Sequence, residues 1–211
     1  MYIKIKRILD VILSLIGIIV LLPIFLIIII AIKIDSKGPI LFKQKRIGSK
    51  KSHFNILKFR TMRIDTPKDT PTHLLDNPDK YITKVGKFLR KTSLDELPQI
   101  WNILMGDMSI IGPRPALWNQ NDLIIERDKY GVNNFRPGLT GWAQINGRDE
   151  LPIKVKAKLD GDYIKHISFW MDIKCFFLTI TSVLKSDGVV EGGTGRNDKK
   201  ESTGNEENVY K

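Results

Sequence analysis

Cysteine is almost missing from this sequence: Cys175 is the single one among 211 residues. That excludes a disulfide framework and a cysteine-ligated metal site, and it fits a reducing, cytosol-facing location. The three histidines, His53, His73 and His166, are spread along the chain and form no cluster. There is no internal repeat and no glycine-rich phosphate loop of the P-loop or dinucleotide kind. Acidic charge is in short supply, with 23 Asp and Glu against 34 Lys and Arg and a formal net charge of +11. Such an excess points to an anionic partner: nucleic acid, anionic lipid or a phosphorylated substrate. A solvated basic surface is the plainer alternative. The basic residues gather near the motifs described below, which favours a partner.

Charge is absent altogether from residues 11–32, where only Ser14, Gly17 and Pro23 interrupt an apolar run. As a helix that run spans about 33 Å, roughly the hydrocarbon thickness of a bilayer. A chain this small can hardly wrap an all-round apolar helix in its own core. The run is also too long for a cleaved signal peptide, and no small-residue cleavage site follows it. Membrane insertion is the reading that remains. Lys4, Lys6 and Arg7 precede the run, and Lys33, Lys37, Lys43, Lys45, Arg46, Lys50 and Lys51 follow it. Basic flanks prefer the cytoplasm, and a straight span would export one of them. Pro23 removes a backbone hydrogen bond in mid-run and can bend the helix. The expectation is a re-entrant helix–break–helix, two half-helices of about 12 residues in one leaflet, rather than a kinked span.

Three parts follow: a membrane segment over 1–36, a cytosolic domain over 37–185, and a disordered tail over 186–211 with almost no large apolar residue. Within the domain, 40–42 and 54–59 read as short strands. Residues 62–79, with Pro67, Pro71 and Pro78, read as a loop, and 82–90 as a short helix or turn. Leu97, Ile100, Trp101 and Leu104 fall at i, i+3, i+4, i+7, an amphipathic helix that Gly106 and Asp107 end. Residues 121–129 are another helix, and 135–148 an ordered loop with a short strand. A helix over 163–184 has an apolar face wide enough for core packing, with membrane-surface contact as a second reading. The fold class is α/β, mostly helical.

Chemistry gathers in four places. The sharpest is Arg90-Lys91-Thr92-Ser93-Leu94-Asp95-Glu96-Leu97-Pro98. Ser93 and Glu96 have the spacing of a capping box, a purely structural use of both. Pro98 argues against it, because a helix capped at Ser93 would lose a backbone bond there. A start near Asp95 or Glu96 puts Pro98 in the first turn. Asp95 then lies at a helix mouth beside Arg90 and stays ionised, available as nucleophile or metal ligand. The second place is Gly112-Pro113-Arg114-Pro115, where two prolines hold one guanidinium in a way that suits phosphate, a tight turn with a solvated arginine being the alternative. The third runs from Arg136 to Arg148, with glycines that permit close approach of a ligand and with Trp142 and Gln144 between the two arginines. The fourth is Lys58-Phe59-Arg60, two cations on one side of an extended segment. Six cations (Lys58, Arg60, Arg90, Arg114, Arg136, Arg148) around one acidic pair suit a diphosphate donor and a phosphate acceptor with a divalent ion.

The order of these motifs resembles the bacterial sugar transferase family, the monotopic polyprenyl-phosphate phosphoglycosyl transferases. The matching stretches are KFRTM at 58–62, ITKVGKFLRKTSLDELPQIWNILMGDMS at 82–109, IGPRP at 111–115, RPGLTGWAQINGRD at 136–149 and SFWMDIK at 168–174. The likeness covers the chain from its start to about Val190. It implies a re-entrant membrane helix, a small α/β catalytic domain resting on the membrane through amphipathic helices, and a Mg²⁺-dependent reaction. It puts the family's nucleophile on Asp95, also the Mg²⁺ ligand, with Glu96 assisting in proton transfer or metal positioning. The six cations become substrate-binding residues. The reaction so implied transfers a sugar-1-phosphate from a UDP-sugar to polyprenyl (undecaprenyl) phosphate and releases UMP. It passes through a covalent phospho-sugar on the aspartate, as the first membrane step of bacterial surface glycan assembly. The likeness is to the short, single-domain form, at the cytoplasmic face of the inner membrane. It leans toward an N-acetylated amino sugar, with 116–120 and 62–79 shaping the sugar pocket. Membrane lipid is a partner and nucleic acid is not expected. Two other readings stand beside it. One is a non-enzymatic membrane-anchored binder of anionic lipid or nucleic acid. The other is a transferase that forms a glycosidic bond and releases UDP.

Overall fold

The computed structural model describes residues 1–66, 80–147 and 151–184. The expected tail, most of the 62–79 loop and Arg148 lie outside the described residues. The apolar run folds as α1, Tyr2–Asp35, a single helix of 34 residues, about 51 Å long. Pro23 sits inside it, so the two half-helices expected from the sequence are not seen. A proline deletes one backbone hydrogen bond, and the apolar turns on either side keep theirs.

One stripe of α1 faces the rest of the protein along its whole length. Lys6, Asp10 and Ser14 are buried at one end and Ile28 and Ile32 at the other. Between them Gly17 lies against Ile100 and the Phe25 ring meets Phe59 at 5.5 Å. These positions recur every three to four residues, the spacing of one helix face. The other faces, with Ile8, Ile12, Ile16, Ile19 and Val20, are exposed. Each such side chain gains about 1.5–3 kcal/mol on leaving water. The helix is therefore long and apolar enough to cross a membrane, yet it lies along the domain and is held at both ends.

A hairpin follows: β1 (Leu41–Ile47) pairs antiparallel with β2 (His53–Phe59), in register from Leu41 opposite Phe59 to Ile47 opposite His53. Its tip turns through Lys50 and Lys51, both in the left-handed region at φ 52° and 60°. The chain continues through α2 (Lys84–Lys91), a 3-10 turn at Leu94–Glu96 and α3 (Gln99–Met105). Gly106, at φ 96°, ends α3 as expected. Then β3 (Ser109–Ile111) pairs parallel with β4 (Gly138–Thr140), with α4 (Asn121–Asp128) in the connection. After the short α5 (Trp142–Ile145), two helices replace the single one expected over 163–184: α6 (Ile153–Lys165) and α7 (Phe169–Leu184). The backbone N–H of His166 closes α6 on the carbonyls of Asp162 and Tyr163. Ser168 Oγ accepts the Met171 N–H at the start of α7.

The fold is mostly helical with two small sheets, the expected class. Ile111 of β3, Tyr163 of α6 and Cys175 of α7 form one buried cluster. Phe59 of β2 and Leu89 of α2 form another with Ile28 and Ile32 of α1. On α7, Cys175 and Asp172 are buried while Phe169, Trp170, Phe176 and Phe177 are exposed. The wide face thus divides into a packed side and an open one.

Candidate active site

Two strand ends and one 3-10 turn meet at the acidic pair. Ser93 enters the turn at φ 57° without a side-chain capping bond, so no capping box forms and Glu96 is left for other partners. Pro98 holds the cap position of α3 with helical φ, where its missing N–H does no harm. Lys58, near the end of β2, puts Nζ 2.7 Å from Glu96 Oε1 and 4.0 Å from Asp95 Oδ2. Arg114 reaches the same Glu96 oxygen with Nη2 at 2.9 Å, and Oε2 with Nη1 at 3.5 Å. Arg90 donates from Nε to Thr61 Oγ1 at 2.9 Å and its charge bears on Asp95.

The neighbouring carboxylates are treated differently. Burial alone would raise Glu96, but Arg114 and Lys58 outweigh it and hold its pKa well below the usual carboxylate range. For Asp95 burial wins: its pKa is pushed up from 3.8, against Lys58, Arg90 and Arg114 and with the help of the Glu96 charge. The sequence reading has Asp95 fully at ease as an anion; the structure makes that anion under-compensated. A carboxylate shifted by burial among charged partners in this way is a candidate for the chemistry. Among the described residues no three His, Cys, Asp or Glu side chains gather as a metal cage. A hard cation such as Mg²⁺ fits Asp95 only when shared with phosphate oxygens and water, its ordinary mode.

The structure brings Lys58, Arg90 and Arg114 to the acidic pair, and places Arg60 and Arg136 elsewhere. Arg60 is 6% exposed and donates to the Ser36 carbonyl, the Ser36 hydroxyl and the Lys37 carbonyl, at the end of α1. Arg136 donates to Gly106 O at 2.8 Å. Arg7 binds the carbonyls of Ile103 and Leu104, so two arginines meet the negative C-terminal end of α3. The glycines of the third motif serve the backbone rather than a ligand. A Cβ on Gly138 or Gly141 would strike Gly112, because the two motifs lock together through Gly112 N–H to Thr140 O (2.8 Å) and Gly138 N–H to Pro113 O (2.9 Å). Gln144 donates to Leu139 O, and Lys174 lies 4.9 Å over the Trp142 ring. In the 116–120 segment Ala116 is buried and Trp118 is exposed, with Lys45 5.5 Å above its ring.

Sequence reasoning missed several residues around the site. Arg127, 4% exposed, pairs with the buried Asp160 at 2.5 Å and donates Nη1 to Arg114 O at 2.9 Å, fixing the backbone that presents the guanidinium. Gln99 is 1% exposed, and its Nε2 has no partner among the described residues. It opens α3, directly after the Pro98 cap.

The class so defined is a small, mostly helical domain that carries a helix long and apolar enough to cross a membrane and an acidic pair among cations. The chain belongs to the bacterial sugar transferase family, whose pattern matches residues 1–186. It is 40% identical over 186 residues to a UDP-glucose:undecaprenyl-phosphate glucose-1-phosphate transferase of Xanthomonas campestris pv. campestris, covering 85% of this chain and 38% of that protein. It is 42% identical over 166 residues to an uncharacterized sugar transferase, EpsL, of Bacillus subtilis (strain 168), covering 78% and 79%. A UDP-N-acetylgalactosamine-undecaprenyl-phosphate N-acetylgalactosaminephosphotransferase of Aeromonas hydrophila is 37% identical over 195 residues, 89% of this chain and 45% of that protein. The chain thus spans less than half the length of the Xanthomonas and Aeromonas relatives.

Proposed function

We propose that this chain transfers a sugar-1-phosphate from a UDP-sugar to undecaprenyl phosphate or a similar polyprenyl phosphate, and releases UMP. The observation that carries the reading is the asymmetry of the acidic pair: Glu96 is clamped by Lys58 and Arg114, whereas Asp95 is left under-compensated beside them. An Asp95 oxygen attacks the sugar-linked phosphorus of the donor. The bond from that phosphorus to the bridging oxygen breaks, and UMP leaves with the electron pair. An oxygen of polyprenyl phosphate then attacks the same phosphorus, and the Asp95–phosphorus bond breaks to free the lipid-linked product. Lys58, Arg90 and Arg114 offset charge on the transferring phosphoryl group, the main requirement of such chemistry. Mg²⁺, when bound, would supply further charge neutralisation there. Glu96, held ionised far below neutrality, is a poor base, so its role is to hold Lys58 and Arg114 in place rather than to move protons.

Both ends of α1 touch the same domain: Lys6 pairs with Asp172, and Asp35 accepts the Val85 N–H at 3.1 Å. This supports a re-entrant or surface-lying helix with both basic flanks on the cytoplasmic face. The relatives' names include glucose, galactose and N-acetylgalactosamine, so the donor panel must hold all three, with the N-acetylated amino sugars favoured above.

The test is UMP release from a panel of UDP-sugars by the purified protein with Mg²⁺ and polyprenyl phosphate. With donor alone, the peptide containing Asp95 should gain the mass of one phospho-sugar, and kinetics should be ping-pong. Release of UDP would mean glycosidic bond formation. No nucleotide release across the panel would favour a binding protein.

A further inference from the structure

We propose that Asp10, on the membrane helix, is a positioning residue for the transfer reaction: it fixes the strand that delivers Arg114 to Glu96. The inference rests on the proposed function and reaches past the acidic site itself. Asp10 is 4% exposed. Its carboxylate accepts the Ser109 hydroxyl at 2.8 Å on Oδ2 and the Ile110 N–H at 3.0 Å on Oδ1. Among the described residues no cation pairs with it; neutral donors from β3 hold it.

Those donors explain why a carboxylate sits there. Successive backbone N–H groups of a strand point to opposite edges. β3 has β4 along one edge, through the pairs Ser109 with Gly138 and Ile111 with Thr140. Ile110 therefore turns its N–H to the other edge, where no strand lies among the described residues, and the Asp10 carboxylate accepts it instead. An unmet buried N–H would cost about as much as a lost hydrogen bond. A second tie runs beside the first. Lys6, Tyr2 and Tyr163 converge on the Asp172 carboxylate, which takes the Tyr163 hydroxyl proton at 2.6 Å, and the same hydroxyl oxygen lies 3.3 Å from Ile111 O.

Between Ile111 and Arg114 there is little room to absorb a shift. Gly112 and Pro113 are bonded to β4 and its approach, Pro113 and Pro115 fix two φ angles, and the carbonyls of Arg114 and Pro115 are held by Arg127 and Arg46. With both ends of this short segment held, a displacement of β3 would strain the backbone that presents the Arg114 guanidinium. Asp10 on α1 thus takes the place of a third-strand acceptor for one N–H of this small sheet, that of Ile110, four residues before the arginine that reaches Glu96.

The experiment uses the full chain in phospholipid nanodiscs, with Asp10→Ala, Asp10→Asn, Ser109→Ala, Arg114→Lys, and Asp10→Ala combined with Arg114→Lys. Amide hydrogen exchange over residues 108–115 should speed up about 10-fold or more in Asp10→Ala, in line with one lost buried bond, while α4 and α6 exchange as in the wild type. UMP release should lose about 10-fold in kcat with the donor KM changed less than about 2-fold. In the Arg114→Lys background the same Asp10→Ala change should cost under about 2-fold, because the two act through one contact. Ser109→Ala and Asp10→Asn, which remove less, should move both readouts in the same direction and serve if Asp10→Ala does not fold. Unchanged exchange over 108–115 overturns the proposal. So does an equal loss in both Arg114 backgrounds, since Asp10 would then act on general stability alone. If the wild type releases no UMP, the proposed function fails, and the exchange result still decides whether Asp10 fixes the strand.

Discussion

Two of the regions that bury charge in this protein treat it in opposite ways. Along the seam between α1 and the domain, each buried carboxylate is met: Asp172 by Lys6, Tyr2 and Tyr163, and Asp10 by Ser109 and Ile110. At the acidic pair only Glu96 is met, and Asp95 keeps a contact of 4.0 Å with Lys58. Full compensation makes a charge structural, while incomplete compensation leaves it able to react. The two regions also share parts, because β3 is tied to the seam at its start and leads to Arg114 at its end.

The largest expected effect lies on the reactive side. Asp95→Asn keeps the size and removes the charge, so turnover should fall by at least about 10³-fold, as for loss of a nucleophile, and the donor-alone adduct should vanish. Circular dichroism and the thermal midpoint should remain those of a folded protein. Near wild-type turnover in that variant would remove Asp95 from the chemistry and with it the contrast drawn above. On the compensated side the effect is on stability. Asp172→Ala leaves Lys6 buried without its partner and should destabilise by about 3–5 kcal/mol, read as a lower midpoint in detergent. A change below about 1 kcal/mol would mean the seam is not held by its charges.

Next in size is Arg114→Lys, which keeps a charge but loses the two-pronged contact with Glu96. About 1–3 kcal/mol of transition-state stabilisation should go, measured as kcat/KM for UMP release. Unaltered kcat/KM in Arg114→Ala would separate Arg114 from the site.

Much of this was legible in the sequence because local rules and tertiary structure agree. The helix near Leu97–Leu104, the stop at Gly106 and the exposed apolar run need nothing but periodicity and glycine chemistry, whereas the buried face of that helix differs from the expected stripe: Gln99, Asn102 and Ile103 are buried and Trp101 is exposed. The acidic pair with Lys58, Arg90 and Arg114 was legible from residue type and motif order. What was not legible depends on long-range partners. Arg60 reads as a ligand cation in one dimension, and only the fold shows the end of α1 waiting for it. The first strand was cut short because Lys43 to Arg46 hide β-structure behind charge, and α6 was missed because its lysines, Asp160 and Gly161 blur the helical pattern. Lys6 and Asp10 stand at i+4 beside an apolar run and look like its fraying edge. Their partners lie about 100 residues or more away, which local pattern cannot reveal.

The finest test separates Asp95 from Glu96 by acid. Glu96 has a folded pKa below its ordinary value of 4.5, so its contribution to stability is fully present above that value. It is lost as pH falls through the folded value. Asp95 has a folded pKa above its ordinary 3.8. Its contribution has the opposite sign: fully present below 3.8, and lost as pH rises through the folded value. Glu96→Gln should therefore make stability fall less steeply than in the wild type below pH 4.5. Asp95→Asn should leave stability unchanged or slightly higher at neutral pH, where the wild type carries an under-compensated anion. Chemical denaturation of the three proteins between pH 3 and 8 reads both slopes. If the two variants shift the profile in the same direction, the carboxylates share one environment. The division of labour between a reacting aspartate and a clamping glutamate would then fail even if both are needed for turnover.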